Sequence, residues 1–541
     1  MTRWHESSCE TPNVVIDEKN NPTCRSCKRS CPSIEELLAE NVSASSSLVL
    51  PPDEPEGQMD LWWPLSVPYD RKETPMMSQE SFEKAGKASP PARPMPTAQF
   101  HIYGDALKPN EFRLACITYA QTKDCPVHLS LETYTHDDRP EYEAVSYTWG
   151  GEDDDSSPNR PVFIGSYWDV SLQSKNCLSM LRFIRPWRGV RMVWVDALCI
   201  NQQNLEERGT QVANMRQIYT ECSRVVVYLG DDIVTSSRSF PIFKDLNVIQ
   251  DAGSATKLYS LFPEGHELNG ERFDLFDLLS RRYFSRVWVI QELIVSDSAV
   301  FRVGEVDFRA HAAILAKVRE LPSILDRNAP PRAFRWNTTS APWVQYLGQK
   351  TFPRTIVQDV FSLAKLTSRS QSSDPRDRIF GLVSLLGDDQ QRQEFYPDYS
   401  LSFKHFSIGF FAHIFLNNED SAFMQKAGIV TGSEPSWVPM CRDHGSWLEV
   451  LSACVPDAQN DINKHLGLRH PRVFLDKSMK IPIQQAFSIA SNRSKTASGP
   501  SFSLEGTVDP ATGALGINLT HIFMFECHPL LWGEFGALKI F

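Results

Sequence analysis

Four residues near the N-terminus have the types and spacing of a metal site. His5 and Cys9 form an H-x3-C pair, and Cys24 and Cys27 form a C-x2-C pair, with 14 residues between the pairs. Thiolate and imidazole are the ligands of tetrahedral zinc, and two such knuckles supply four of them. The expected metal set is His5, Cys9, Cys24 and Cys27, with Cys31 as a spare ligand. The alternative is unpaired thiols in a disordered tail, since no second C-x2-C is present. A different constellation sits at Asp196. There the apolar run VWVDALCI (193–200) feeds a carboxylate into a polar turn with Asn201 and Gln202. Strand ends that run into polar loops are where open α/β sheets bind ligands. Asp196 either binds a ligand hydroxyl or bonds the amides of its own turn.

Other candidates have equally plain competitors. YEAVSYTWG (142–150) is a short strand pattern that ends in aromatics and glycine. Ser146, Tyr147, Trp149 and Gly150 would line a ligand mouth at its end, with core packing as the other reading for Tyr147 and Trp149. Asn204 and Glu207 have capping-box spacing, which accounts for Glu207 without any catalytic role. Trp288 and Glu292 are four apart and share one helix face. Arg281, Arg282 and Arg286 stand close enough in sequence to pair with Glu292 and give it a purely structural part. The acidic run at Glu152–Asp155 has no metal spacing and reads as a solvated loop.

The elements that must position these residues follow from apolar patterning. FRLACI (112–117), VHLSL (127–131), EAVSYTW (143–149), PVFIG (161–165) and WDVSL (168–172) read as strands. A helix is expected at 176–184, then the strand 193–200 and a helix from Asn204. RVVVYLG (224–230) is continuously apolar, as in a sheet covered on both faces. This alternation predicts a parallel α/β sheet with VVVYLG and VWVDALC as buried neighbours. One helix is expected over 273–296, a late strand pair over 299–308, and a helix at DPRDRIFGLVSLL with Asp374 as N-cap and Pro375 at its first position.

Bulk properties narrow the class. The chain has 541 residues, 41% apolar and 11% aromatic, with net charge −11. It is long enough for several domains, and its charge disfavours a broad nucleic-acid surface. No apolar run reaches the roughly 18 residues of a membrane span. The N-terminus lacks a secretory core, and twelve cysteines are too sparse for a disulfide scaffold. A reducing, cytoplasmic location is expected. P-loop, dinucleotide-fold, serine-hydrolase elbow and HExxH motifs are absent.

Four segments together resemble the fungal heterokaryon-incompatibility (HET) domain. They are YEAVSYTWG, WVDALCINQ, the ER…QV..M..IY run from Glu207 to Tyr219, and FSRVWVIQEL (284–293). DPRDRIFGL, PDYS and PSWVP resemble elements that often follow it. The resemblance implies a role in non-self recognition with growth arrest or programmed cell death as output, acting by self-association or contact with another incompatibility protein.

HET domains are in turn distantly similar to Toll/interleukin-1 receptor (TIR) domains. By that resemblance EAVSY, VDALC and RVVVYLG are the first three strands, and RVWVIQEL is the helix where enzymatic relatives carry a Trp…Glu pair. Glu292 is then the candidate catalytic residue, Trp288 its apolar wall and NAD a candidate substrate. One carboxylate beside the ribose would stabilise the oxocarbenium charge as nicotinamide leaves.

The expected organisation is a Cys-rich segment at 1–34, a Pro/Ser-rich linker at 35–100 and a HET domain at 101–310. A helical extension at 311–440 and a C-terminal region at 441–541 follow. The expected fold class is α/β, with a TIR/flavodoxin-like, mostly parallel sheet core and a disordered N-terminal arm.

Overall fold

The computed structural model describes residues 2–41, 50–70, 103–230, 281–303, 306–311, 341–418, 435–453 and 506–517, with gaps at 56, 105, 121, 123, 347–349, 436 and 440–443. It also describes short pieces at 233–234, 239–240, 266–268, 271–273 and 423. Two compact units divide the chain: residues 1–49, 94–392 and 396–400 in one, and residues 50–93, 393–395 and 401–541 in the other.

The first unit is α/β. It opens with the hairpin β1 (Val14–Ile16) and β2 (Pro22–Cys24) and the helix α1 (Ile34–Asn41). Strands β3 (Glu111–Thr118), β4 (His128–Thr135), β5 (Glu143–Tyr147), β6 (Arg160–Ile164) and β7 (Asp169–Gln173) follow, then α2 (Lys175–Ile184). Next come β8 (Val190–Trp194), α3 (Asp196–Cys199), α4 (Leu205–Glu221) and β9 (Arg224–Tyr228). Two small hairpins pair β10 (Ile233–Val234) with β11 (Ser239–Phe240), and β12 (His266–Leu268) with β13 (Glu271–Phe273). The unit continues with α5 (Arg282–Ser285), α6 (Trp288–Ile294), β14 (Ser298–Val303), β15 (Val306–His311), α7 (Val360–Leu366) and α8 (Asp377–Val383).

Nine strands form one sheet in the order β15-β14-β9-β5-β8-β3-β4-β6-β7. Its centre, β14-β9-β5-β8, is parallel throughout. In chain order those four strands lie 2-1-3-4, the order of flavodoxin-like doubly wound sheets. Antiparallel partners extend both flanks: β15 on β14, and β3 between β8 and β4. Every residue of β5 is buried, as a central strand covered on both faces requires.

Several expectations are corrected. The strands carrying VVVYLG and VWVDALC are both in the buried centre, but β5 lies between them. A 2-1-3-4 order separates strands two and three by strand one. Strand β8 stops at Trp194, and Asp196 opens a single helical turn instead of extending the strand. The single helix expected over 273–296 is two short helices, α5 and α6, with 274–280 outside the described residues. Helix α8 begins at Asp377, not Pro375, and Asp374 does not cap it. The Asp374 carboxylate is taken by the Arg376 guanidinium, at 3.0 and 2.8 Å.

The N-terminal arm, expected to be disordered, is packed at 2–41 and at 50–70. In the second unit the helix α9 (Phe403–Asn418) is buried on every side from Phe403 to Leu416. An all-round apolar helix needs cover on each face, and residues 58–70 supply part of it. Trp63 is 1% exposed, stacks on Phe406 at 5.3 Å and meets Phe395 edge-on at 5.6 Å. The His405 ring accepts the Trp62 amide at 3.2 Å. The other side of α9 meets Trp447 of α10 (His444–Ala453) through Phe410 and Phe411. The rest of the expected linker, 71–100, and most of 441–541 lie outside the described residues. Among the described residues no helix is long and apolar enough to cross a membrane.

Candidate functional site

The carboxyl end of β5 gathers the polar groups of the sheet centre. Side chains alternate along a strand, so Ser146 and Tyr147 leave β5 on opposite faces. Ser146 meets α6 and α5: its hydroxyl donates to the Glu292 carboxylate and lies 2.6 Å from the Tyr283 hydroxyl. Tyr147 meets the Cys177 thiol of α2. The sequence grouped these two residues at one mouth, and the pleat separates them. Tyr147 is 2% exposed and belongs to the core, whereas Trp149 is 38% exposed and does not.

Glu292 is 4% exposed. Burial pushes its carboxyl up to about 7, against the opposing pull of the Arg286 charge and the Ser146 hydroxyl, while Asp196 adds to the rise. Arg286 bridges the site. Its guanidinium donates to the Tyr147 carbonyl and acts on both carboxylates, Glu292 and Asp196. Burial also raises the Asp196 carboxyl. Asp196 accepts the Trp149 indole N–H at 3.0 Å and the Ala197 amide at 2.7 Å. Both readings of Asp196 therefore retain support, since one oxygen serves the turn and the other meets the exposed tryptophan.

The loop after β5 is held in place. Ser174 donates to the Trp149 carbonyl at 2.6 Å, and Asn176 donates to that of Thr148. A Cβ on Gly150 would come within 2.7 Å of the Asp154 backbone, so only glycine lets the loop fold back there. The acidic run is not simply solvated. Glu152 accepts Arg281 Nε at 3.1 Å and the Arg282 amide at 3.2 Å, and Arg282 pairs with Asp154.

One expected site residue, Trp288, has structural partners. The Trp288 indole donates to Asp377 at 3.1 Å, and its ring packs against Gly381 of α8. Asp377 also accepts the Tyr399 hydroxyl at 2.6 Å, and Arg208 stacks over the Tyr399 ring at 3.7 Å. The ER, DPRDR and PDYS motifs thus meet in one ionic cluster that ties α4, α6 and α8 together. Glu207 does not close a capping box. Asn204 caps α4, but the Glu207 carboxylate turns to the buried Arg113 and to the Asn201 amide at 2.7 Å. That ion pair fixes the turn after Asp196.

Sequence reasoning missed Tyr283 as a member of the site, and it saw Arg286 only as a neutralising partner. Both lie inside the YFSRVWVIQEL segment, nine and six residues before Glu292, where spacing alone gives no direction. The four metal candidates, His5, Cys9, Cys24 and Cys27, come together elsewhere, with ligand atoms all within 4.8 Å of one another.

A family model described as Heterokaryon incompatibility protein (HET) matches residues 142–292. The chain carries a HET domain. The match runs from the residue before β5 to Glu292, so the HET domain contains the whole Ser146–Glu292–Arg286–Asp196 cluster. The chain is similar to "Heterokaryon incompatibility protein 6, OR allele" of Neurospora crassa, 24% identical over 313 residues. That similarity covers 49% of this chain and 45% of the relative, so the chain spans less than half the length of the relative it matches. No solved structure matches.

Proposed function

We propose that this chain is an effector of fungal non-self recognition, and that its HET domain drives growth arrest or programmed cell death as a signalling or interaction module. The observation that carries this reading is the HET match over 142–292, seated on the parallel centre of the sheet. The similarity to an incompatibility protein of Neurospora crassa supports it. The partner is a second copy of the chain or another incompatibility protein, met in the cytoplasm. Inducible expression of the chain in a fungal host tests the reading. Growth arrest with loss of viability is expected, and unimpaired growth at high expression overturns it.

One observation favours a second reading, an NAD-cleaving domain of TIR type. A buried carboxylate with a raised pKa sits at the carboxyl end of the first strand of a 2-1-3-4 sheet, where such sheets bind ligands. In this reading water attacks the ribose carbon of NAD, nicotinamide leaves with the bonding pair, and a proton is released. Ionised Glu292 stabilises the oxocarbenium charge, and Trp149 is the exposed aromatic face. NAD measured in the same cells separates the two readings: arrest with unchanged NAD leaves the module alone standing.

A further inference from the structure

We propose that His5, Cys9, Cys24 and Cys27 hold a structural zinc ion that staples the N-terminal segment to the edge of the HET-domain sheet. The four ligand atoms come from two separate stretches of the chain yet gather within 4.8 Å of one another. Zinc lies about 2.3 Å from sulfur and about 2.1 Å from nitrogen, so a tetrahedral site sets two sulfurs about 3.8 Å apart and sulfur and nitrogen about 3.6 Å apart. The Cys9 and Cys24 sulfurs are 3.9 Å apart, and Cys27 Sγ is 3.6 Å from His5 Nδ1.

The surroundings are those a metal site needs. His5 Nε2 lies 2.7 Å from the Tyr167 carbonyl and can only donate to it. That fixes the tautomer and leaves the Nδ1 lone pair facing the thiols, as outer partners of metal-bound histidines do. Backbone amides of Cys27, Asn13 and Ser26 face the Cys24 sulfur. Lys28, directly after the C-x2-C pair, has φ 61°, so the chain turns sharply around the site. Three thiolates and one imidazole around Zn²⁺ leave one negative charge, and Arg25, Lys28 and Arg29 crowd the same turn. Cys31 is not in the set. It is buried in one apolar cluster with Trp4, Cys9, Cys24, Leu37, Phe163 and Val170.

The segment on the metal is also the segment that covers β7, the sheet's edge strand. Thr2 and Val170 exchange backbone hydrogen bonds, each 2.8 Å. Arg3 grips Asp169 with two bonds, of 2.9 and 2.8 Å, and Trp4 donates to the Trp168 carbonyl. An open edge strand is a template for unwanted pairing. A tail held only at residues 2–4 frays readily, whereas a metal joining His5 to the hairpin at Cys24 and Cys27 closes it over that edge.

The test uses the full chain, purified under reducing conditions without chelator. Elemental analysis is expected to find about one zinc per chain. Replacing that zinc with Co²⁺ should give the strong visible absorption of tetrahedral thiolate coordination. Cys24→Ser and His5→Ala should lose most of the metal, whereas Cys31→Ser should keep it. Stripping zinc from the wild-type chain should make the first forty residues sensitive to protease before the sheet is cut. Wild-type protein with no zinc and no cobalt spectrum, or a Cys9–Cys24 disulfide in freshly purified material, overturns the proposal without any variant having to fold. Zinc that Cys31→Ser removes as fully as Cys24→Ser overturns the ligand set.

Discussion

The Ser146 hydroxyl on β5 donates to the Glu292 carboxylate on α6, although the two are 146 residues apart in the chain. Tyr283 closes the group from α5, and Arg286 sets a positive charge beside it. The carboxylate is thus buried yet partnered, at the strand end where a doubly wound sheet opens.

If the domain cleaves NAD, Glu292→Gln keeps size and hydrogen bonding but removes the charge. Loss of one such electrostatic contact costs about 10²–10³ in rate. NAD consumption by the variant should fall by that factor, while its circular dichroism stays that of wild type. Wild-type activity should rise with pH through about 7, as the buried carboxyl loses its proton. A folded Glu292→Gln chain that consumes NAD at the wild-type rate removes the enzymatic reading.

The same carboxyl links stability to pH. Its folded pKa of about 7 lies above the ordinary carboxylate value, so the folded state holds a proton that the unfolded chain has already released. Stability is therefore full below about 4.5 and falls as pH rises to about 7, by on the order of 3 kcal/mol at most. Glutamine does not titrate. The melting temperature of Glu292→Gln minus that of wild type should increase between pH 5 and pH 8. A difference that stays flat across that range refutes the linkage.

Glu207 and Arg113 form an ion pair with both side chains enclosed. Removing one partner strands the other charge, at about 3–5 kcal/mol. Glu207→Ala should lower the denaturation midpoint by that order and release the turn that carries Asp196. A loss under about 1 kcal/mol would mean that the pair is solvated after all.

Trp63 belongs to a Pro-rich stretch that sequence composition marks as linker. Its ring is enclosed against Phe406 and Phe395, so Trp63→Ala should cost about 3–5 kcal/mol in the second unit. Limited proteolysis should spare residues 58–70 in the wild-type chain. Early cleavage there would show that the contact does not persist in solution.

Local pattern was enough for the α/β class, the parallel centre and the four motifs of the HET domain, but not for which central strands are neighbours. Those signals live in short runs. Continuous apolar strands need cover on both faces, and Asn204 caps a helix through its own next residues. The grouping of His5, Cys9, Cys24 and Cys27 was legible for a similar reason, since the residues in each pair are close in sequence. Direction in space was not. The strand pleat sent Ser146 and Tyr147 to opposite faces, and Trp288 turned to Asp377 while Glu292, on the same short helix, met Ser146. Glu207 has the spacing of a cap, yet a buried arginine 94 residues away takes its carboxylate. A Pro-rich stretch became core because an all-round apolar helix elsewhere in the chain needed covering. Each of these outcomes depends on which distant group is at hand once the sheet is assembled, and only the tertiary structure decides that.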